Sequence, residues 1–127
     1  MTKTINKNDI MQYAILFYET EADFAKRESP EAEAYWGAWM AYTKSMKDAG
    51  VMKDGMCLQS PGTATVVRTK GGGRKVQDGP FADAKEQLGG LTVIEVPNLD
   101  AALEWAARAP SAGTAGAEVR PMVGCDD

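Results

Sequence analysis

The sequence predicts an α+β fold of the ferredoxin-like kind, an antiparallel sheet with two helices on one face. Segments with strand and helix patterns follow one another in the order β-α-β-β-β-α-β. This order contains two βαβ-like halves, which is the arrangement of ferredoxin-like sheets. A chain of 127 residues is long enough to form one domain with its own core.

The first strand and the first helix have clear signals. The run QYAILFYE, residues 12–19, is rich in aromatic and branched side chains and predicts a buried strand. The polar segment 20–28 is predicted to be a loop. A helix is then expected from Ser29 as N-cap and Pro30 at its first position to a stop at Gly50. Its core face is predicted from residues spaced by three and four: Ala32, Trp36, Trp39, Thr43 and Met46. Together with Met40, the two tryptophans and Met46 are interpreted as core, not as a cofactor site.

Three strands are predicted next, at residues 51–59, 63–70 and 74–78. The stretch KGGGRK, residues 70–75, is interpreted as the turn between the last two strands. It lacks the G-x-x-x-x-G-K-[ST] spacing of a phosphate-binding loop, and it opens a strand where such a loop would open a helix.

The stretch VQDGPFADAKEQLGG, which ends at Gly90, contains the candidate site. Asp78 is expected to accept hydrogen bonds from backbone amides just ahead, Gly79 to take positive φ, and Pro80 to fix the next turn. Phe81 is expected to anchor the loop, and residues 82–87 to form one or two helical turns. A loop of about 12 residues is long for a connection and often lines a site. Plain turn geometry is the alternative interpretation.

The remaining segments complete the domain. A strand is predicted at residues 91–96, and a helix begins at Pro97 and Asn98 and ends near Pro110. Its stripe is Leu99, Ala102, Leu103 and Ala106. The linker 111–116 leads to a last strand at residues 117–123. The domain is therefore predicted to span residues 11–123, between a polar leader, 1–10, and a tail, 124–127.

Two helices can cover only one face of this sheet, although apolar residues alternate through several strands. The other face would be covered most simply by a second subunit, so the sequence predicts a two-fold homodimer with sheets packed face to face.

Composition excludes several function classes. The chain has no histidine, which removes serine and cysteine triads and imidazole metal sites. Its net charge of −4 and scattered basic residues are a poor footprint for nucleic acid. Cys57 and Cys125 are expected to be free thiols. No signal peptide or membrane span is predicted, and a cytoplasmic location is expected.

No metal or cofactor is predicted. Asp78, Asp83 and Glu86 could offer oxygen ligands, but they lack the spacing of a calcium loop and are interpreted as a solvated acidic loop.

Four segments in order resemble the DGPF-domain branch of the YCII-related proteins: QYAILFYE, VQDGPFADAKEQLGG, PNLDAALEWA and EVRPM. The resemblance covers residues 11–123 and implies a dimeric α+β barrel. It also implies a choice of functions, since some relatives resemble enzymes with a His-Asp pair, one branch resembles dehydrochlorinases of aromatic degradation, and others are associated with sigma-factor regulation. The His-Asp pair has no counterpart here. The branch pattern DGPFAETKE is present as DGPFADAKE, with Asp83 and Ala84 at the changed positions.

Two functions follow from the residues. The first is a non-catalytic dimer that binds a small anionic or aromatic molecule or serves as a regulatory or accessory module. The second is a cofactor-free enzyme, of isomerase, lyase or dehydrochlorinase type, with Asp78 as base and Lys85 and Arg120 as cations. The other candidate ligand-binding residues are Tyr18, Phe81 and Glu86, and Glu19 at the same strand end as Tyr18 is as compatible with solvation as with a cleft.

Overall fold

The protein is described by a computed structural model over residues 10–124. The predicted leader lies outside the described residues except for Ile10, and so does Cys125. The elements are β1 (Met11–Thr20), α1 (Glu21–Lys26), α2 (Ala32–Asp48), β2 (Met52–Cys57), β3 (Thr65–Lys70), β4 (Gly73–Asp78), β5 (Glu86–Val96), α3 (Leu99–Ala107) and β6 (Gly116–Pro121).

Four strands form one antiparallel sheet in the order β2-β5-β1-β6, with β1 and β5 in its centre. Among the described residues, the strands β3 and β4 pair only with each other and form a separate two-stranded ribbon. In the chain, this ribbon lies between β2 and β5, which are themselves neighbours in the sheet. The predicted ferredoxin-like α+β fold with an antiparallel sheet is confirmed.

The core lies between the sheet and the helices α2 and α3. Alternate residues of β1 point into it, and β5 and the helices supply the remaining buried side chains. The buried apolar cluster comprises Tyr13, Ile15, Phe17, Tyr42, Met46, Ile94, Val96, Ala102, Ala106 and Ala109. On the opposite face of the sheet, Leu16, Leu91 and Val93 remain half-buried. We call this surface the open face.

The segment after β1 is a short helix and not the predicted loop. Thr20 and Asp23 form a capping box, in which Thr20 Oγ1 accepts from the Asp23 backbone N–H at 3.1 Å and Asp23 Oδ2 accepts from the Thr20 N–H at 3.0 Å. Two helical N–H groups that would otherwise lack partners are thereby satisfied. Aspartate in the third position provides the capping interaction usually made by glutamate.

The first predicted helix begins later than expected. The observed helix, α2, starts at Ala32, so Ser29 is not its N-cap. The Ser29 hydroxyl accepts a hydrogen bond from the Glu31 N–H at 3.0 Å in the turn before the helix. Met46 is buried and the two predicted tryptophans are half-buried, but the core assignment of Met40 is wrong, since its side chain is 70% exposed. Met40 follows Trp39 directly and so points away from the helix face that packs on the sheet.

The second predicted helix is confirmed at its start. Asn98 Oδ1 accepts from the Ala101 N–H at 2.9 Å and caps α3. Ala102 and Ala106 are buried, but the leucines of the predicted stripe, Leu99 and Leu103, remain about half exposed.

The loop before β5 is shorter than predicted. β5 begins at Glu86, so only residues 79–85 connect the strands, and residues 82–87 form no helical turn. The Gln87 side chain instead donates to Ala82 O at 2.7 Å and Ala84 O at 3.0 Å, which stabilises the connection without a helix. Gly79 has the predicted positive φ, 102°. Among residues 10–124, no helix has the length and hydrophobicity needed to cross a bilayer.

Candidate functional site

A small cavity of about 80 Å³ opens between α2 and the ends of β1, β2 and β5. This volume is several times the ~10–15 Å³ that a single water requires. Phe17, Trp36, Trp39 and Gly90 line its apolar side, and Met56 and Cys57 lie on the β2 side. The polar side of the cavity consists of Glu19, Arg27 and Tyr35, which we call the polar cluster.

Strand alternation places Glu19 in the interior. It follows Tyr13, Ile15 and Phe17 on the core face of β1, and it is only 2% exposed. A buried carboxylate requires a cation or several hydrogen bonds, because desolvation of the charge is costly. The other members of the polar cluster supply both.

Arg27 neutralises this carboxylate. It lies at the C-terminus of α1, and its Nη2 forms an ion pair with Glu19 Oε2 at 2.9 Å. The guanidinium also donates to the carbonyl oxygens of Leu58 at 2.5 Å and Gly89 at 3.4 Å. Its side chain is 9% exposed, so the pair is shielded from solvent on both sides. Burial alone would lower the pKa of Arg27, but the hydrogen bond with Tyr35 and the charge of Glu19 outweigh it and raise the pKa.

Tyr35 connects the two charged groups. Its hydroxyl donates to Glu19 Oε1 and accepts from Arg27 Nε at 3.1 Å. Burial, and next the hydrogen bond to Glu19, raise the pKa of Tyr35 to about 12. The hydroxyl is therefore a stable donor at neutral pH.

Aromatic rings surround the polar cluster. The Arg27 guanidinium carbon lies 4.8 Å from the centroid of the Phe24 ring and 5.3 Å from that of Trp36, within cation–π range. Phe17 and Trp39 pack edge to face with centroids 4.9 Å apart on the apolar side. The Cys57 thiol is free, as predicted, and exposed at the rim. The cavity is thus an aromatic slot with a charge-balanced polar end.

The unfolding free energy should fall between pH 10 and pH 12. Burial raises the folded-state pKa of both Tyr35 and Tyr42 to about 12, from the ordinary tyrosine value of 10.0. A raised folded pKa stabilises the fold fully below the unfolded pKa, and this stabilisation is lost as pH rises through the folded pKa. Urea denaturation at a series of pH values should show a shallower loss in Tyr35→Phe than in the wild type. An identical loss in both proteins would contradict this assignment.

The six residues predicted for the site lie elsewhere. Tyr18, Phe81 and Glu86 line one surface groove, and Lys85 lines an adjacent groove together with Glu86. Asp78 ends β4 and is exposed, and Arg120 on β6 pairs with Glu118. Among the described residues, Asp78, Lys85 and Arg120 are not joined to one another by any hydrogen bond or ion pair.

Two of the predicted side chains do meet. Tyr18 donates to Glu118 Oε1 at 3.2 Å, and Arg120 binds the other oxygen of the same carboxylate. Burial, and next the Glu118 hydrogen bond, raise the pKa of Tyr18. Two structural expectations are wrong. Phe81 is 74% exposed and does not anchor the loop, and within residues 10–124 no backbone amide donates to the Asp78 carboxylate.

Sequence reasoning missed Arg27 and Tyr35 and left Glu19 undecided. The signal for Glu19 was present, because a charged residue continues the inward alternation of Tyr13, Ile15 and Phe17. A second signal was the Gly89–Gly90 pair. A Cβ on Gly89 would overlap Glu19 Oε2. Arg27 and Tyr35 had no local signal, since a charged residue at a helix end and a tyrosine on a helix are commonplace.

Metal ligation finds no support in this region. In the part of the chain that the structure describes, no three carboxylate or thiol side chains are grouped closely enough to hold a metal ion. The two groups of the cavity that could ligate a metal, Glu19 and Cys57, differ in exposure, and Glu19 is already paired.

The fold and the site define a small ferredoxin-like α+β domain with a partly enclosed aromatic cavity at one end of its sheet. Comparison with known proteins gives the family: the model of the YCII-related domain matches residues 11–124. The chain is also 33% identical over 114 residues to an uncharacterised protein of Rhizobium meliloti (strain 1021), covering 88% of this chain and 92% of that relative. The chain belongs to the YCII-related family, and its place in the DGPF branch stays a prediction.

Proposed function

We propose that this YCII-related protein is a homodimeric module that binds a small aromatic molecule carrying one uncharged polar group, without transforming it. The observation that supports this most strongly is the cavity itself, in which edge-to-face aromatic rings face a buried and fully paired carboxylate. Ligand sites are typically apolar concavities with a few placed polar groups.

The charge balance of the polar cluster selects the ligand class. One carboxylate and one guanidinium give no net charge, so an anion or a cation in the slot would lack an unpaired counter-ion. A hydroxyl could still accept from Arg27, because Nη1 carries two N–H groups and donates one of them to Leu58 O. A phenol combines the ring that fits the slot with such a hydroxyl.

The homodimer is proposed through the open face. Leu16, Leu91 and Val93 remain half-buried there, and Met56 beside them is 52% exposed. An apolar sheet face of this kind is the sort of surface that a second subunit covers.

The positions of the residues favour binding over catalysis. The enzyme alternative requires Asp78, Lys85 and Arg120 to act on one substrate, and among the described residues no hydrogen bond or ion pair links them, while Arg120 is already paired with Glu118. Their catalytic roles stay predictions. The polar cluster offers no better acid or base, because Glu19 already binds both Arg27 and Tyr35.

Calorimetric titration with phenol, benzoate and benzylamine tests the proposed ligand class. Phenol should bind with a Kd of about 0.1–1 mM, the range open to so small a ligand, and the two charged probes more weakly. Cys57→Phe places a ring at the rim of the cavity and should weaken phenol binding at least about tenfold.

Met40→Phe is the matched control, because it adds a ring on an exposed surface of α2. Its affinity for phenol should equal that of the wild type. Equal affinity in Cys57→Phe, or no binding of any probe, would contradict the proposed site.

A further inference from the structure

Within residues 10–124, the ribbon formed by residues 65–78, which we call the arm, pairs with no strand of the main sheet. Its strands β3 and β4 pair only with each other. Every residue of β4 is exposed, and in β3 only Val66 is half-buried. At its base, the Gly79 N–H donates to Ala64 O at 2.7 Å. A two-stranded ribbon alone is at best marginally stable in water, so this arm requires a cover.

One face of the arm is apolar at its centre. Val67 lies directly opposite Val76, so both side chains point to the same face, and they are 56% and 55% exposed. Near the arm, Phe81 is 74% exposed, and the Arg68 guanidinium lies 4.7 Å from its ring centroid. The valine pair therefore forms an exposed apolar surface on a ribbon that pairs with no other strand of the described residues.

The arm also differs in charge from the rest of the molecule. It has four basic residues, Arg68, Lys70, Arg74 and Lys75, and one acidic residue, Asp78, a net charge of +3. Because the whole chain carries −4, all other residues together carry −7. Another molecule of the same chain is therefore opposite in net charge to the arm and complements it.

The open face has apolar side chains that could contact the valine pair of the arm and acidic side chains that could pair with its basic residues. Its centre is the half-buried apolar group of Leu16, Leu91 and Val93. By strand register, the side chains of Asp54, Glu95 and Glu118 lie around that centre on the same face, since they pair with or alternate with its members. Arg120 pairs with Glu118 at 2.5 Å and Lys53 lies 4.0 Å from Glu95, so the three carboxylates exceed the neighbouring cations by one charge. An apolar centre with an acidic rim matches an arm with an apolar pair and a basic tip.

We infer that the arm of each subunit docks on the rim of the open face of a second copy, with Val67 and Val76 in contact with the exposed Met56 side chain of the edge strand β2 and with Lys70 and Arg74 next to the acidic side chains of the rim. This inference rests on the homodimer of the proposed function and extends it, since the sheet contact alone leaves the arm uncovered. A nucleic acid fits less well, because the apolar pair has no role there and the chain as a whole is acidic.

Two arm variants of the full chain test the inference by sedimentation velocity over a range of concentrations. Val67→Thr with Val76→Thr removes the apolar pair but keeps the branched side chains that favour strands. Lys70→Glu with Arg74→Glu reverses the charge of the tip. The controls make the same kinds of change on exposed positions of α2: Met40→Gln and Lys47→Glu.

The wild type should be a dimer, and each arm variant should raise its dissociation constant at least about tenfold, while both controls leave it unchanged. The charge variant should also lose most of the salt dependence of dimerisation, because exposed ion pairs are screened by salt. Unchanged constants in both arm variants would overturn the docked arm and leave the sheet-to-sheet dimer standing. A wild type that is monomeric at every concentration would overturn both.

Discussion

Replacing Arg27 by methionine is expected to lower the free energy of unfolding by about 3–5 kcal/mol. The variant leaves the Glu19 carboxylate 2% exposed with no cation beside it. Loss of one partner of a buried pair is far more costly than the net contribution of the pair, because the remaining charge keeps its desolvation cost. Urea denaturation at neutral pH measures the effect.

The Arg120–Glu118 pair provides a matched control. Its side chains are 69% and 38% exposed, and exposed pairs of this kind contribute little to stability because solvent and salt screen them. Arg120→Met should therefore cost little. Adding Glu19→Gln to Arg27→Met should restore at least about 1 kcal/mol, since the amide oxygen can still accept from Tyr35 but carries no charge. Equal costs for Arg27→Met and Arg120→Met would refute the buried ion pair.

Replacing Gly89 by alanine is expected to destabilise the fold by about 2–3 kcal/mol. The added Cβ would overlap Glu19 Oε2 and would lie 3.0 Å from Glu19 Cδ and 3.2 Å from Arg27 Nη2. Glu19 cannot withdraw without leaving its ion pair, and the alternative is a shift of the β5 backbone. The φ of Gly89 is not the reason, because it does not lie in the left-handed region.

Gly116 is the control for this substitution. It is also a strand glycine, but a Cβ built on it meets no atom within 4 Å. Gly116→Ala should change the unfolding free energy by less than about 0.5 kcal/mol. If Gly89→Ala changed the unfolding free energy as little as Gly116→Ala, Glu19 would have another position available. The close approach of β5 to the polar cluster would then not be required for stability.

The general fold could be predicted because it depends on local patterns. The inward alternation of β1, the Asn98 cap and the positive φ of Gly79 are each encoded within a few residues. The prediction was wrong where one sequence pattern is compatible with two local structures. The segment after Thr20 contains the polar residues of a loop, and only the reciprocal bonds of Thr20 and Asp23 make it a helix.

The site was less predictable because its members come from four separate elements. Glu19 is the penultimate residue of β1, Arg27 follows α1, Tyr35 lies on α2, and Gly89 lies on β5. Their contacts depend on the packing of α2 against the strand ends, which no single segment specifies. The loop residues were predicted as a site because their types are those of turns, and the positive φ of Gly79 confirms the turn. A turn does not by itself bring Asp78, Lys85 and Arg120 to one cavity.

The proposed function requires that an aromatic ligand occupies the cavity beside the polar cluster. Intermolecular nuclear Overhauser effects measure this most directly, with unlabelled phenol at saturation and the full chain labelled with ¹³C and ¹⁵N. The ring protons of phenol should show effects to Phe17, Trp36 and Trp39, and none to the exposed Met40 methyl group. Effects confined to the groove of Tyr18 and Phe81 would place the ligand site in that groove and contradict the proposed one.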